Sequence, residues 1–394
     1  MSLLAVSEAQ KRLFALAGTV HAEEVPLAEA FGRWLGRDVK ALRDQPWASL
    51  SAMDGYAIRH ADLPGPWSVT GESAAGGEGA PKVNAREAVR IFTGAAMPKG
   101  ADCVLIQEDA ESRNGTLILT GSGPDRPGKH VRAQGSDFIK GTLLLRKGSV
   151  IRAPQVALAA LGGHAVLPAH RKIKVALFST GNELIAPGQH GRPGDLPASN
   201  GVMLRAMFAG LPVEVEDLGI VPDDLTAQTE AFRRASTADI IVTTGGASVG
   251  DHDLVKPAFE MAGGTVDFWR IALRPGKPLM AGRNGQALFL GLPGNPVSAF
   301  VTALLFVLPL VRHMSGASDP LPPLRRAILT QEMPPVAGRT QYLRGIFDNG
   351  EVAPLPNQDS AAMLSFASAN ALIVRPANSA SLAIGDAVEF IPLT

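Results

Sequence analysis

The chain has 394 residues, 46% of them hydrophobic and 19% charged, a composition that allows large packed cores. Such a length suggests about two to four domains. Lys plus Arg and Asp plus Glu each total 37, so the net charge is +0 and no nucleic-acid footprint is visible, since that needs a basic excess or stripe. The single cysteine, Cys103, excludes an intramolecular disulfide and a cysteine-based zinc site, and suits a reducing compartment.

The N-terminal stretch MSLLAVSEAQKRLFAL lacks the basic start and long apolar core of a leader, and Ser7 to Gln10 reads as a capping box opening an amphipathic helix. Residues 1–43 are expected to be mainly helical. Residues 44–140, rich in Gly and Pro with few helix signals, read as a β-rich insertion domain. Residues 141–170 return to a strand and the helix APQVALAALGG. These are expected to pack with the N-terminal helices, which makes the first domain discontinuous (1–43 plus 141–170). Strand and helix patterns alternate over residues 171–318: KIKVALFST, SNGVMLRAMFAG capped by Ser199 or Asn200, VEVEDLGIV, DDLTAQTEAFRRAS capped by Asp223 or Asp224, DIIVTTGG, LVKPAFEMAG, KPLMAG and QALFLGLPG. That alternation predicts a mostly parallel sheet covered on both faces, with ligands beyond the carboxyl ends of its strands. PVSAFVTALLFVLPLV, residues 296–311, is short for a membrane span and contains Pro309; it reads as a core helix. SDPLPPL is a linker, and residues 319–394 form a small C-terminal β domain. The fold class is therefore α/β multidomain, in a cytoplasmic protein that contacts neither membrane nor nucleic acid.

In TTGGASVGDHD a buried strand gives way to glycines and then to Asp251, His252 and Asp253 at a helix start. A strand, a glycine-rich loop and a helix start direct backbone N–H groups at an anion. GPDRPGKH matches the first half of a P-loop, but His130 stands where Ser or Thr should bind Mg²⁺. Neither G-x-G-x-x-G after a strand, nor G-x-S-x-G, nor H-E-x-x-H occurs. What remains is a set of short polar stretches, most with a carboxylate: SAMDGYA (Asp54), GKHVRAQGSDF (Asp137), STGNEL (Glu183), VPDD (Asp223) and GGASVGDHD (Asp253). With them come IFTGAAMPKGAD (Thr93), FWRIALRPGKP (Arg270, Arg274, Lys277) and GLPGNPVSAF. Each has an ordinary local reading as well: Asp223 as a helix cap, Glu183 and Asp253 as first-turn acids, Asp54 and Asp137 as turn residues, Thr93 as a strand-end hydroxyl, the arginines as solvated charges.

Taken in order, SAMDGYA, TGAAMPKGAD, GGASVG, RPGKP and GLPGNPVSA closely resemble the molybdopterin molybdenumtransferase family, MoeA in bacteria and the E-domain of gephyrin in animals. The resemblance spans nearly the whole chain. It implies an elongated four-domain homodimer whose cleft is shared between subunits. It also implies insertion of molybdate into adenylylated molybdopterin, with Mg²⁺-assisted release of AMP. The catalytic residues it implies are Asp54, Asp137, Glu183, Asp223 and Asp253, with Glu183 and Asp253 as metal ligands. Substrate binding falls to Thr93, Gly245, Gly246, Ser248, Gly250, Arg270, Arg274, Lys277, Pro293, Asn295, Pro296 and Ser298. Contacts with the preceding adenylyltransferase or with molybdoenzyme acceptors are a further expectation. This chain departs from the family in Asn182, where STGDEL is common, and in Arg270 and Arg274, where lysines are frequent. A guanidinium keeps the charge but forks onto two oxygens, which bears on oxyanion preference. The competing readings are the adenylyltransferase itself, which would lack the flanking regions, and a non-enzymatic scaffold.

Overall fold

Every residue of Ile240–Thr244 and Ala287–Leu292 is buried, as required of strands covered on both faces. In the computed structural model, which describes residues 3–77, 79, 81–246, 254–276 and 278–393, these strands occupy the centre of a six-stranded sheet. Its order is Val213–Val221, Ile173–Thr180, Ile240–Thr244, Ala287–Leu292, Pro278–Asn284, Thr265–Arg270. The first four strands run parallel, and the last two join in antiparallel register. The helices Leu225–Ala235 and Val255–Met261 cover one face. The first of these buries Gln228, Ala231, Phe232 and Ala235, one stripe at helical spacing. Phe178, Phe232, Phe259 and Phe289 meet beneath it. Ser199–Phe208 and the long helix from Pro296 to Met314 cover the other face.

That long helix is apolar enough for a membrane span, but it is mostly buried inside the protein, as a core helix is. It widens into a π-helical turn at Ala303–Val307 just before Pro309. Pro309 has no N–H to give the carbonyl four residues back. The buried Gln10 side chain, from the first helix, donates Nε2 to that Leu305 carbonyl at 2.8 Å.

A second six-stranded sheet, Cys103–Ile106, Gly55–Ile58, Glu87–Ile91, Trp67–Ser73, Thr116–Leu119 and Ala110–Arg113, lies within residues 55–119. Ala22–Pro26 pairs with Val166–His170, and Val39–Lys40 with Leu143–Leu145. Toward the C-terminus, Thr340–Asp348, Glu351–Pro354, Arg325–Leu329, Ala387–Pro392 and Ala371–Arg375 pair in turn. The last strand also pairs with the first, which closes the ring. Leu273–Arg274 adds to this ring in parallel with Thr340–Gln341. Tyr342, Phe366, Leu372 and Ile391 share one apolar core with the long helix.

Several expectations are corrected. Residues 3–43 hold one α-helix, Val6–Leu16, followed by strand and 3₁₀ turn, so the region is mixed rather than mainly helical. Ser7 lies inside that helix; the N-cap is Ala5 and no side chain caps it. Neither Ser199 nor Asn200 caps Ser199–Phe208, whose N-cap is Ala198. Asp224, not Asp223, caps Leu225–Ala235 by accepting from the Ala227 N–H at 2.8 Å. FWR belongs to the edge strand Thr265–Arg270, and Arg274 to the short strand Leu273–Arg274.

Replacing Gln10 by Leu removes the donor and leaves a buried carbonyl short of one bond. The expected loss is about 1–3 kcal/mol, measured by urea unfolding. A loss within the error of the fit would show that another group serves Leu305.

Candidate active site

The chain leaves Ile173–Thr180 toward one edge of the sheet and returns to its other side at Ile240–Thr244. The gap between these two carboxyl ends is the topological switch point, where α/β sheets hold ligands. A cavity of about 950 Å³ opens there. Gly245 and Gly246 turn over it with φ of 90° and 60°. A Cβ at Gly245 would strike the Thr180 carbonyl oxygen, so the chains can pass this closely only with glycine. Thr180 Oγ1 and Asn200 Oδ1, from residues lining this cavity, are buried with no partner among the described residues.

Glu183 and Asp223 both line the cavity. The Glu183 carboxylate folds back over Gly181, whose added Cβ would lie 2.5 Å from Oε2. Among the described residues this carboxylate has no hydrogen-bond or ion-pair partner. Asp223, free of the capping role, is held differently. Its Oδ2 accepts from the Asn182 N–H at 3.1 Å and its Oδ1 from Gln228 Nε2 at 3.3 Å, while its own N–H donates to Asn182 Oδ1 at 3.0 Å. Of the predicted binding residues, Gly245, Gly246, Arg274, Pro293, Asn295, Pro296 and Ser298 are in the same wall. The Arg274 guanidinium has no partner among the described residues.

Asp54, Thr93, Asp137 and Arg270 do not line this cavity. Asp54 and Thr93 instead form a unit of their own: Asp54 Oδ1 accepts from the Thr93 N–H at 2.7 Å and from its hydroxyl at 2.8 Å. The Thr93 N–H, then its hydroxyl, and to a lesser degree Arg90, hold the Asp54 carboxyl below the usual range, against a small desolvation effect. Arg90 is itself fixed, with its guanidinium carbon 5.0 Å from the Tyr56 ring centre and 4.9 Å from that of Phe92, and a 2.8 Å bond to Gln107. Asp137 is exposed and its N–H bonds the Gln45 carbonyl. Arg270 stands in the edge strand of the central sheet, where its carbonyl accepts from Leu4. Ser248, Gly250, Asp253 and Lys277, with Asp251 and His252, lie outside the described residues.

Sequence reasoning missed one wall of the cavity. Gln358, Asp359 and Ser360 reach it from the C-terminal ring. Asn295 Nδ2 donates to Ser360 Oγ at 3.1 Å, and the Val297 N–H to the Ser360 carbonyl at 3.2 Å. Arg344, 1% exposed, anchors this turn through the Asp359 and Asn357 carbonyls at 2.9 and 2.7 Å. An arginine beside Tyr342 on the inward face of a strand was the available signal, because a buried guanidinium must be met by acceptors.

Family models match three successive segments: "MoeA N-terminal region (domain I and II)" at residues 4–163, "Probable molybdopterin binding domain" at 176–313 and "MoeA C-terminal region (domain IV)" at 326–393. The molybdopterin molybdenumtransferase of Haemophilus influenzae is 35% identical over 380 residues, covering 94% of this chain and 93% of that one. Molybdopterin molybdenumtransferase 2 of Mycobacterium tuberculosis is 35% identical over 386 residues, with 94% and 95% covered. The solved molybdopterin biosynthesis MoeA protein of Pyrococcus horikoshii OT3 superposes with a TM-score of 0.83 at 28% identity, over 99% of this chain and 100% of that one. The fold and cavity thus define a multidomain protein built around a molybdopterin-binding type of α/β domain. The chain belongs to the molybdopterin molybdenumtransferase (MoeA) family.

Hydrogen bonds to the ionised form depress a carboxyl pKa, so removing one raises it. Thr93→Val keeps the backbone donor and deletes the hydroxyl. The Asp54 carboxyl, followed by NMR through an acid titration, is expected to titrate at higher pH than in the wild type; an unmoved midpoint would deny the hydroxyl its role. Gly181 has a φ of 148°, a conformation that side chains rarely adopt, so Gly181→Ala is expected to lower the thermal midpoint as well as turnover, whereas Glu183→Gln, which leaves the backbone untouched, is expected to lower turnover alone. An unchanged midpoint in Gly181→Ala would show that the turn absorbs the side chain.

Proposed function

We propose that this chain inserts molybdate into adenylylated molybdopterin and releases AMP. The observation that carries the reading is one cavity, about 950 Å³ in volume, that gathers Arg274, the carboxylates Glu183 and Asp223 and the Gly245–Gly246 turn at the switch point. A substrate bearing phosphates, together with a dianionic oxyanion, needs fixed positive charge and N–H donors. A guanidinium can fork onto two such oxygens. Cys103 takes no part: it is buried, and desolvation, with Asp102 beside it, pushes its thiol up to about 12. The sulfur that receives the metal belongs to the dithiolene of the substrate.

Mg²⁺ suits this donor set, since it is commonly held by one or two carboxylates together with substrate phosphate and water. Glu183 and Asp223 would hold it, with Asp253 the further carboxylate that the family pattern assigns. The bound ion would supply neutralisation of the charge that develops as the phosphoanhydride breaks. Asp54, Thr93 and Asp137 lie on a different part of the chain from this cavity, which supports a homodimer in which a second copy contributes them. One buried cysteine suits the reducing cytoplasm, where the adenylyltransferase and the molybdoenzyme acceptors would be met.

The test is AMP release from adenylylated molybdopterin with molybdate and Mg²⁺, which is expected to depend on molybdate. Consumption of ATP with molybdopterin would instead identify an adenylyltransferase, a folded wild-type protein that released no AMP would favour a scaffold, and full activity after Asp54 and Asp137 are both changed to Asn would remove those two residues from the reaction. Asp54→Asn and Glu183→Gln chains, each inactive alone, are expected to recover about a quarter of wild-type activity when mixed and reassembled, because heterodimers keep one intact site. No recovery would place both residues in the same subunit's site.

A further inference from the structure

We propose that Asn182 and Gln228 are positioning residues for this site: they clasp Asp223 and thereby set the two cavity carboxylates, Asp223 and Glu183, at fixed places. This rests on the reading of the cavity as the phosphate and metal end of the site. The clasp is reciprocal. Asn182 gives its N–H to Asp223 Oδ2 and takes the Asp223 N–H on its side-chain oxygen, at 3.1 and 3.0 Å. Two turns at the carboxyl ends of the neighbouring strands Ile173–Thr180 and Val213–Val221 are thus tied across the sheet edge. Glu183 is the next residue after Asn182, so the same ties locate its backbone.

Gln228 closes the clasp from below. It is 0% exposed, and its one carboxamide nitrogen serves both the Pro222 carbonyl and Asp223 Oδ1, each at 3.3 Å. Its Oε1 is left buried without a partner among the described residues. A buried orphan acceptor is costly, and the orientation that tolerates it is the one that reaches Asp223. Asp224 takes over the helix cap, which leaves Asp223 free for this arrangement.

The neutrality of Asn182 matters as well as its geometry. An aspartate here would keep an oxygen to accept the Asp223 N–H but would put a third negative charge beside Asp223 and Glu183. Asparagine gives the tie without that charge. It therefore trades divalent-cation affinity for weaker repulsion of incoming oxyanions.

The experiment pairs turnover with a binding measurement that does not need turnover: Mn²⁺ titration of the full-length protein followed by electron paramagnetic resonance, with AMP present and absent. Groups that orient metal ligands typically carry 10–100-fold in affinity or activity. Asn182→Ala is expected to weaken Mn²⁺ binding and lower kcat by about tenfold at the least, with an unchanged thermal midpoint. Asn182→Asp is expected to restore kcat to near the wild-type value and to bind Mn²⁺ more tightly than the wild type. Gln228→Met is expected to follow Asn182→Ala in direction. Unchanged Mn²⁺ affinity and kcat in Asn182→Ala would overturn the proposal, as would an Asn182→Asp protein as impaired as Asn182→Ala. If the wild type released no AMP, the reading of the reaction would fall, while the Mn²⁺ titrations would still decide the clasp.

Discussion

The pairing of Leu273–Arg274 with Thr340–Gln341 gives the crevice at the sheet edge a further wall. The carboxyl ends of parallel strands make only a shallow crevice by themselves. By joining the C-terminal ring to the central domain at this point, a very short parallel pairing brings Gln358–Ser360 over the crevice and places Arg274 in its wall. The apolar core shared by the long helix, Tyr342, Phe366 and Leu372 holds the two bodies in contact. The bonds from Asn295 and Val297 to Ser360 then fix the lip.

Within that enclosure, each acidic side chain is set by what its neighbour does. Asp224 caps a helix, so Asp223 need not. Gly181 has no side chain, so Glu183 can lie back over it. Outside the cavity, the Asp54 carboxyl is held below its usual range by a threonine that offers both its backbone and its hydroxyl. Small residues and neutral donors around carboxylates are the means by which this chain keeps negative groups near a site for anions.

The central sheet was legible because uninterrupted runs such as IIV and ALFLGL have no other place than the middle of a doubly covered parallel sheet. The strand Ala22–Pro26 was not, since only Val25 is buried and AEEVP shows no alternation; its partner lies about 140 residues on, at Val166–His170. Carboxylates at strand ends could be read as site candidates from their position alone, and motif context separated them from turns. Arg270 and Arg274 look equivalent in FWRIALRPG, yet they belong to different sheets, and only Arg274 reaches the cavity. The choice between Asp223 and Asp224 depended on a difference of one residue in where the helix begins. The Ser360 wall arises from contacts 65 residues apart, which no local pattern encodes.

Arg344 has its guanidinium buried against carbonyl oxygens, and no carboxylate stands within ion-pair distance of it among the described residues. Its charge is solvated by carbonyl dipoles and offset in part by the Asp359 carboxylate of the same turn. A chain that is neutral in total thus repeats that balance locally, behind the turn that borders its cavity. Dissolved ions screen buried charge far less than surface charge, so this local balance holds at ionic strengths that would erase steering by exposed lysines.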